Sequence, residues 1–174
     1  MRGSDEIDVA IVGGGPGGII ALYYARQAGL DAVVLERQDV VGGLWAQLPS
    51  WQDIQNREED WTLGDIPIAG VDQPSIVANI RQWVHKFDLA EHIRLNSPAI
   101  SASPLSAGWD IQTPTGKLRA KALISATGGH NRAFLTSGEA TLMSMSFILR
   151  RFAIRAFYQA RPLSWSAGVR LRSI

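Results

Sequence analysis

The stretch IDVAIVGGGPGG, residues 7–18, decides the fold that this chain is predicted to adopt. Residues 7–12 form a short, nearly continuous apolar run, which is typical of a parallel strand buried on both faces. Gly13, Gly15 and Gly18 then give the spacing G-x-G-x-x-G, and an apolar helical pattern begins at Gly18. Such glycines allow a tight turn, an open approach to a pyrophosphate and close packing of helix on strand. The stretch therefore predicts a turn at which helix amides and the positive helix terminus face phosphates.

An acidic residue follows this turn at the expected distance. The segment DAVVLE, residues 31–36, predicts a second parallel strand, and Glu36 at its end follows Gly13 by 23 residues. This is close to the spacing of about 20 residues expected for the acid that binds an adenosine ribose. A carboxylate accepts hydrogen bonds from ribose hydroxyls and repels a 2′-phosphate, so we expect the site to take FAD or NAD rather than NADP. The alternative is a tight turn followed by a solvated glutamate.

Composition limits the class of protein. The chain has 174 residues, of which 46% are hydrophobic and 19% charged, as in a soluble globular protein of about one domain. It contains no cysteine, which excludes disulfides, thiolate metal sites and the disulfide reductases among flavoproteins. The three histidines are scattered without ligand spacing, so no metal site is predicted.

Charge divides the chain into two parts. Residues 1–131 carry a net charge of −5 and residues 132–174 a net charge of +6. We predict a disordered N-terminus at residues 1–6, one domain at 7–132 and an atypical basic tail at 133–174. No signal peptide and no apolar run of about 18 residues are visible, which predicts a cytoplasmic protein without a transmembrane segment. Two interpretations of the tail remain open: a basic amphipathic helix at a membrane surface or partner, and a truncated or frame-shifted product.

Two further segments carry a family resemblance. The segment Gly42-Gly43-Leu44-Trp45, separated from Glu36 by five residues, resembles the FAD-binding domain of flavin-containing and Baeyer–Villiger monooxygenases. The segment SATG, residues 125–128, resembles the end of a buried strand near the FAD in that group. The resemblance implies an α/β, Rossmann-like fold of the two-dinucleotide-binding type, with a parallel sheet and a small antiparallel insertion. The predicted cofactor-binding residues are Gly13, Gly15, Pro16, Gly17, Gly18, Glu36, Arg37, Gly43, Leu44, Trp45, Gln52, Ala99, Ala126, Thr127 and Gly128.

The rest of the domain is predicted from periodicity and turn residues. An amphipathic helix begins after Asp72 and covers the sheet. A third strand spans 92–95, a hairpin with its turn at 114–116 spans 108–118, and the last core strand spans 122–126. The loop 45–73 approaches the flavin and substrate in the resembling family, which makes Gln52, Asp53 and Gln55 candidate polar groups there. The alternative is that its tryptophans pack and its polar groups are solvated.

The family implies a function for the whole enzyme. NADPH reduces the flavin, O₂ adds to it, and the resulting flavin peroxide oxygenates a small organic substrate. The pattern stops after residue 132: Ala133 stands where the family usually has a proline, and no second G-x-G-x-x-G follows for NADPH. We therefore predict an incomplete enzyme with FAD as cofactor and no nucleic-acid partner. Its catalytic residues, substrate and oligomeric state are not predicted. The alternatives are another FAD-dependent oxidoreductase, of amine oxidase or dehydrogenase type, and an inactive nucleotide-binding remnant.

Overall fold

The structure of the chain is a computed structural model that describes residues 6–54 and 66–129. All described residues belong to one compact unit, which backbone contacts delimit at Met1–Asn131. Residues 1–5, the candidate Gln55 and the basic tail at 133–174 lie outside the described residues, and the predictions about them stay predictions. Glu6 is described, and it is a strand residue rather than part of a disordered N-terminus.

The described strands form one mixed sheet. They are β1 (Glu6–Val12), β2 (Ala32–Leu35), β3 (Ile93–Arg94), β4 (Ser101–Pro104), β5 (Trp109–Thr113) and β6 (Gly116–Ser125). Their order across the sheet is β3-β2-β1-β6-β5-β4. Parallel pairing joins β3 to β2, β2 to β1 and β1 to β6, and antiparallel pairing joins β6 to β5 and β5 to β4. The predicted α/β fold, with a parallel sheet and a small antiparallel part, is confirmed.

Two helices cover one face of the parallel strands. They are α1 (Pro16–Gln27) and α2 (Gln73–Lys86), and short 3₁₀ turns lie at Trp45–Gln47 and Ala90–His92. Alternate residues of β1 and β2 point to the helices, because successive strand side chains face opposite sides of a sheet. The core between them includes Val9, Ile11, Ile19, Leu22, Val34, Ile76, Ile80 and Trp83. The predicted helix after Asp72 and its packing on the sheet are confirmed.

The antiparallel strands bury the other face of the parallel strands. Side chains of β1 and β2 form a second core there with side chains of β5 and β6. Its buried members are Ile7, Ala10, Val33, Leu35, Ile111, Leu118 and Ala120. Side chains of β5 and β6 therefore pack on β1 and β2 on this face, as the two helices do on the first face. The central strands are buried on both sides.

The observed strands differ from the sequence predictions at three places. The hairpin strand and the last core strand are one element, β6, which pairs with β5 at its start and with β1 along most of its length. The third strand is shorter than the predicted 92–95, because the chain turns away at Asn96, whose φ is 52°. The sequence gives no sign of β4, since Ser101–Pro104 has four exposed residues and no apolar alternation.

Gly18 is required for α1 to pack on β1, and this predicts a contrast with its neighbour. A methyl group on Gly18 would overlap the carbonyl oxygen of Gly13, whereas one on Gly17 would meet nothing within 4 Å. We expect Gly18→Ala to lower the thermal unfolding temperature of the cofactor-free protein strongly. Gly17→Ala should leave it unchanged or raise it slightly, because alanine favours a helix by roughly 0.5–1 kcal/mol over glycine. Equal effects of the two substitutions would contradict the packing described here.

Asp72 caps α2 and gives the stability of the protein a predictable dependence on pH. Hydrogen bonds from the Ser75 side chain and amide, the latter 2.8 Å long, hold the pKa of Asp72 below its ordinary value of 3.8. A lowered pKa stabilises the fold above the pKa of the unfolded chain, and this contribution is lost as the pH falls through the folded-state pKa. We expect Asp72→Ala to unfold at a lower temperature than wild type at pH 7, and the difference to shrink below about pH 4.

Asp72→Asn is the control for this prediction, because asparagine caps a helix about as well as aspartate but does not titrate. It should unfold close to wild type at pH 7 and keep its advantage over Asp72→Ala in acid. A constant difference between wild type and Asp72→Ala across the acid range would show that the carboxylate is not the cap.

Candidate functional site

The glycine turn after β1 lies against the end of β6. Gly13 has a φ of 111°, and its amide donates to the carbonyl oxygen of Leu35 at 2.9 Å. A side chain at Gly13 would overlap the carbonyl oxygen of Ala126, whose own amide donates to Val12 at 2.9 Å. The carboxyl ends of two parallel strands and the turn are thus in backbone contact. In open α/β sheets, ligands bind at this edge, outside the carboxyl ends of the parallel strands.

Helix α1 begins at this edge with open amide groups. Gly15 is its N-cap residue and offers no side chain to cap it, and Pro16 has no N–H. The first amide bonded back toward the cap is that of Ile19, which donates to Gly15 at 3.0 Å. Within the described part of the chain, the amides of Gly17 and Gly18 have no hydrogen-bond partner. Two donors and the partial positive charge of the helix are therefore available to an anion.

Glu36 lies at the same edge and is held by the backbone. Its Oε2 accepts from the amide of Gly14 at 2.5 Å, and its Oε1 accepts from the amide of Gln38 at 2.8 Å. The residue is only 4% exposed. A carboxylate has about four lone-pair positions, so two bonds leave acceptor capacity on both oxygens. The arrangement can bind a pair of hydroxyl groups, such as those of a ribose, beside the helix terminus.

The segment after Glu36 returns to the glycine turn. The amide of Gly42 donates to the carbonyl oxygen of Gly14 at 2.9 Å. Gly43 has a φ of 58°, and a side chain on it would come within 2.9 Å of the Cα of Gly15. The chain can therefore pass over Gly15 only because residue 43 has no side chain. Beyond it, Leu44 is exposed and Trp45 packs partly buried against the helix-side core.

The sequence of the first hundred residues identifies the family of the chain. A family model described as FAD-dependent oxidoreductase matches residues 8–103, which is more than half of the chain. The chain belongs to the FAD-dependent oxidoreductase family. Within the described residues of this family member, no helix is long and apolar enough to cross a membrane.

The similar proteins of this family include flavin monooxygenases. The flavin-containing monooxygenase FMO GS-OX4 of Arabidopsis thaliana is 24% identical over 62% of this chain, and the chain spans 31% of its length. A structure of the flavin-containing monooxygenase from Stenotrophomonas maltophilia superposes with a TM-score of 0.69 and 23% identity, covering 76% of this chain and 41% of that one. A structure described as oxidized steroid monooxygenase bound to NADP gives 0.59 and 26%, covering 76% and 28%. The chain therefore corresponds to less than half of each of these proteins.

The structure brings most of the predicted cofactor residues to one place. The contacts described above join the glycine turn and the start of α1 to Glu36, Gly43 and Ala126. Arg37 comes directly after Glu36, and Thr127 and Gly128 come directly after Ala126. All three are exposed. For the remaining two candidates, Gln52 and Ala99, the contacts described are with other residues. Gln52 donates to the carbonyl oxygen of Asp53 at 2.9 Å, and Ala99 packs against the second core. Their part in the site stays a prediction.

Sequence reasoning missed three residues that shape the site of this family member. Gly14 and Gln38 orient Glu36 through their backbone amides, which no side-chain pattern reveals. Gln73 donates from its side chain to the carbonyl oxygen of Trp45 at 2.7 Å, across 28 positions of sequence. The spacing of the glycines could have pointed to Gly14, but nothing local to Gln73 indicates its partner.

Proposed function

We propose that residues 7–132 bind FAD and form the N-terminal FAD-binding portion of an NADPH-dependent flavin monooxygenase that oxygenates a small organic substrate. One observation carries the proposal. Unpartnered amides at the start of α1 and a backbone-oriented carboxylate at Glu36 open at the same edge of the parallel sheet. An adenine dinucleotide needs this combination, since it offers a diphosphate and a ribose diol within one molecule.

The residues present suit FAD. The amides of Gly17 and Gly18, with the open backbone of Gly15, would hold the pyrophosphate. The carboxylate of Glu36 would hold the adenosine ribose, and its negative charge would disfavour a 2′-phosphate. The backbone at 43–45 and at 126–128 would line the path of the cofactor, with Ala99 near its adenine.

The cofactor would supply the chemistry and the protein its placement. Bound FAD would carry electrons from NADPH to oxygen, and the described residues would bind it, orient it and exclude water. NADPH as the electron donor is supported by the NADP-bound steroid monooxygenase among the similar structures. We also propose that the chain is an incomplete part of such an enzyme and that it is located in the cytoplasm.

The direct test is a titration of the purified, cofactor-free chain with FAD, NAD and NADP by isothermal calorimetry. We expect FAD to bind most tightly, as the proposed function requires. NADP should bind more weakly than NAD, because only NADP brings a phosphate to the Glu36 carboxylate. A chain that binds none of the three would be a remnant without the proposed function. Binding of NADP as tightly as NAD would refute the role given to Glu36.

Gly15→Ala separates loss of the cofactor from loss of the fold. The φ of Gly15 is −76°, which alanine adopts freely, and its added methyl would lie 3.6 Å from the Cα of Gly43, an ordinary contact. We expect the cofactor-free variant to unfold close to the wild-type temperature, because the smaller backbone entropy of the unfolded alanine variant offsets the poorer N-cap that alanine provides. The same methyl would occupy the surface that a pyrophosphate approaches, so FAD retention after purification should be lost. Unchanged flavin content, measured by absorbance, would refute this site assignment.

Glu36→Gln tests the charge on the ribose side. The side chain keeps its shape, but its amide nitrogen is a donor and must face either the Gly14 or the Gln38 amide. We expect FAD affinity to fall roughly tenfold or more, because hydrogen bonds to charged groups contribute about 1.5–3 kcal/mol. Discrimination against NADP should weaken in the same titration. The matched control is Glu91→Gln, the same chemical change at an exposed residue, which should leave FAD affinity as in wild type.

A further inference from the structure

Gln73 joins α2 to the segment that leaves the glycine turn. Its side-chain Nε2 donates to the carbonyl oxygen of Trp45 at 2.7 Å, and its backbone amide donates to the carbonyl oxygen of Gln52 at 2.8 Å. One residue thus fixes the segment at two points seven positions apart. A further bond, from the amide of Ile54 to the carbonyl oxygen of Val71 at 2.9 Å, extends the same attachment.

The helix that carries Gln73 is a firm support. Asp72 caps its first turn, and Pro74 lies in that turn with a φ already suited to a helix. Three turns of its inner face are fully buried in the main core through Ile76, Ile80 and Trp83. Gln73 itself is half-buried. A side chain anchored in this way restricts its partner more than an exposed, freely rotating one would.

In the proposed site, the segment held by Gln73 would lie on the flavin side of the pyrophosphate. The chain runs from Glu36, at the ribose, to Gly43, against the pyrophosphate turn, within seven residues. Trp45 follows Gly43 by two residues, at the start of the 3₁₀ turn Trp45–Gln47. In FAD the flavin half lies on the opposite side of the pyrophosphate from the adenosine. If the cofactor follows the order in which Glu36, Gly43 and Trp45 occur along the chain, its flavin half would begin beside Trp45.

We propose that Gln73 is a positioning residue for the flavin half of the cofactor, which it places by holding the carbonyl group of Trp45. This inference rests on the proposed function, because it concerns the same FAD site. It divides that site into two parts with separate supports. The glycine turn and Glu36 hold the adenosine diphosphate half, and α2 holds the flavin half through Gln73.

The test compares two ligands on three proteins: wild type, Gln73→Glu and Gln82→Glu. The first substitution places a carboxylate against the Trp45 carbonyl oxygen, yet an acid in the first turn suits the helix dipole, so α2 should remain stable. Gln82 is exposed on the same helix and serves as the matched control. FAD and ADP are titrated with each protein, since ADP contains the adenosine and pyrophosphate without the flavin. The fluorescence of the bound flavin reports its contact with Trp45.

We expect Gln73→Glu to bind FAD roughly three- to tenfold more weakly than wild type, the loss of about one hydrogen bond. Its affinity for ADP should be unchanged, and its bound flavin should be less quenched. The control should match wild type in all three measurements. Equal weakening of FAD and ADP, or no weakening of either, would overturn the inference. If wild type binds neither ligand, the proposed function itself fails, and this inference fails with it.

A second variant guards against an unrelated effect of the new charge. Gln73→Met removes the donor and keeps the length of the side chain without adding a carboxylate. It should weaken FAD in the same direction as Gln73→Glu, by a smaller factor, with ADP again unaffected. If only the charged variant weakens FAD, then electrostatic repulsion and not the lost bond is responsible, and Gln73 does not position the flavin half in the native protein.

Discussion

The contact between the start of α1 and the turn before it is the constraint on which the rest of the structure depends. The Cα of Gly18 lies so close to the carbonyl oxygen of Gly13 that no side chain fits between them. This contact sets how closely α1 approaches the end of β1, and so it directs the open amides of the helix to the edge of the sheet. If a methyl group at residue 18 pushed the helix away from the turn, the helix would still cover the core. Its N-terminal amides, however, would no longer face the edge of the sheet.

The neighbouring segments also pack so closely that side chains at Gly13 and Gly43 would not fit between them. Gly43 passes over Gly15, and Ala126 lies against Gly13, so three loops meet through their backbones rather than through side chains. Backbone amides have fixed positions, and the carboxylate of Glu36 takes its orientation from two of them. The candidate site is therefore preorganised, which would reduce the entropy lost when a ligand binds there.

The two faces of the sheet serve this edge in different ways. The helix face carries α1 and α2. The first turn of α1 brings the amides of Gly17 and Gly18 to the candidate site, and the first residue of α2, Gln73, bonds to the carbonyl oxygen of Trp45. The opposite face is buried by the antiparallel strands, whose contribution to the candidate site is indirect. Strand β6 begins in the hairpin and ends at Ser125, immediately before Ala126, which lies beside the glycine turn. A single long strand thus connects the second core to the proposed cofactor edge.

The sequence by itself determined the features that depend on local spacing. Residues 7–18 and Glu36 predicted the first strand, the turn, the helix and the acid at the ribose side, and Asp72 with Pro74 predicted the start of α2, because burial patterns and helix termini are written in consecutive residues. Only the tertiary structure decided that β4 exists, that β6 is one strand, that Gly14 and Gln38 orient Glu36, and that Gln73 holds Trp45. These features depend on backbone groups or on partners far apart in the chain. Neither kind of contact produces a periodic pattern of side chains that could be recognised in the sequence.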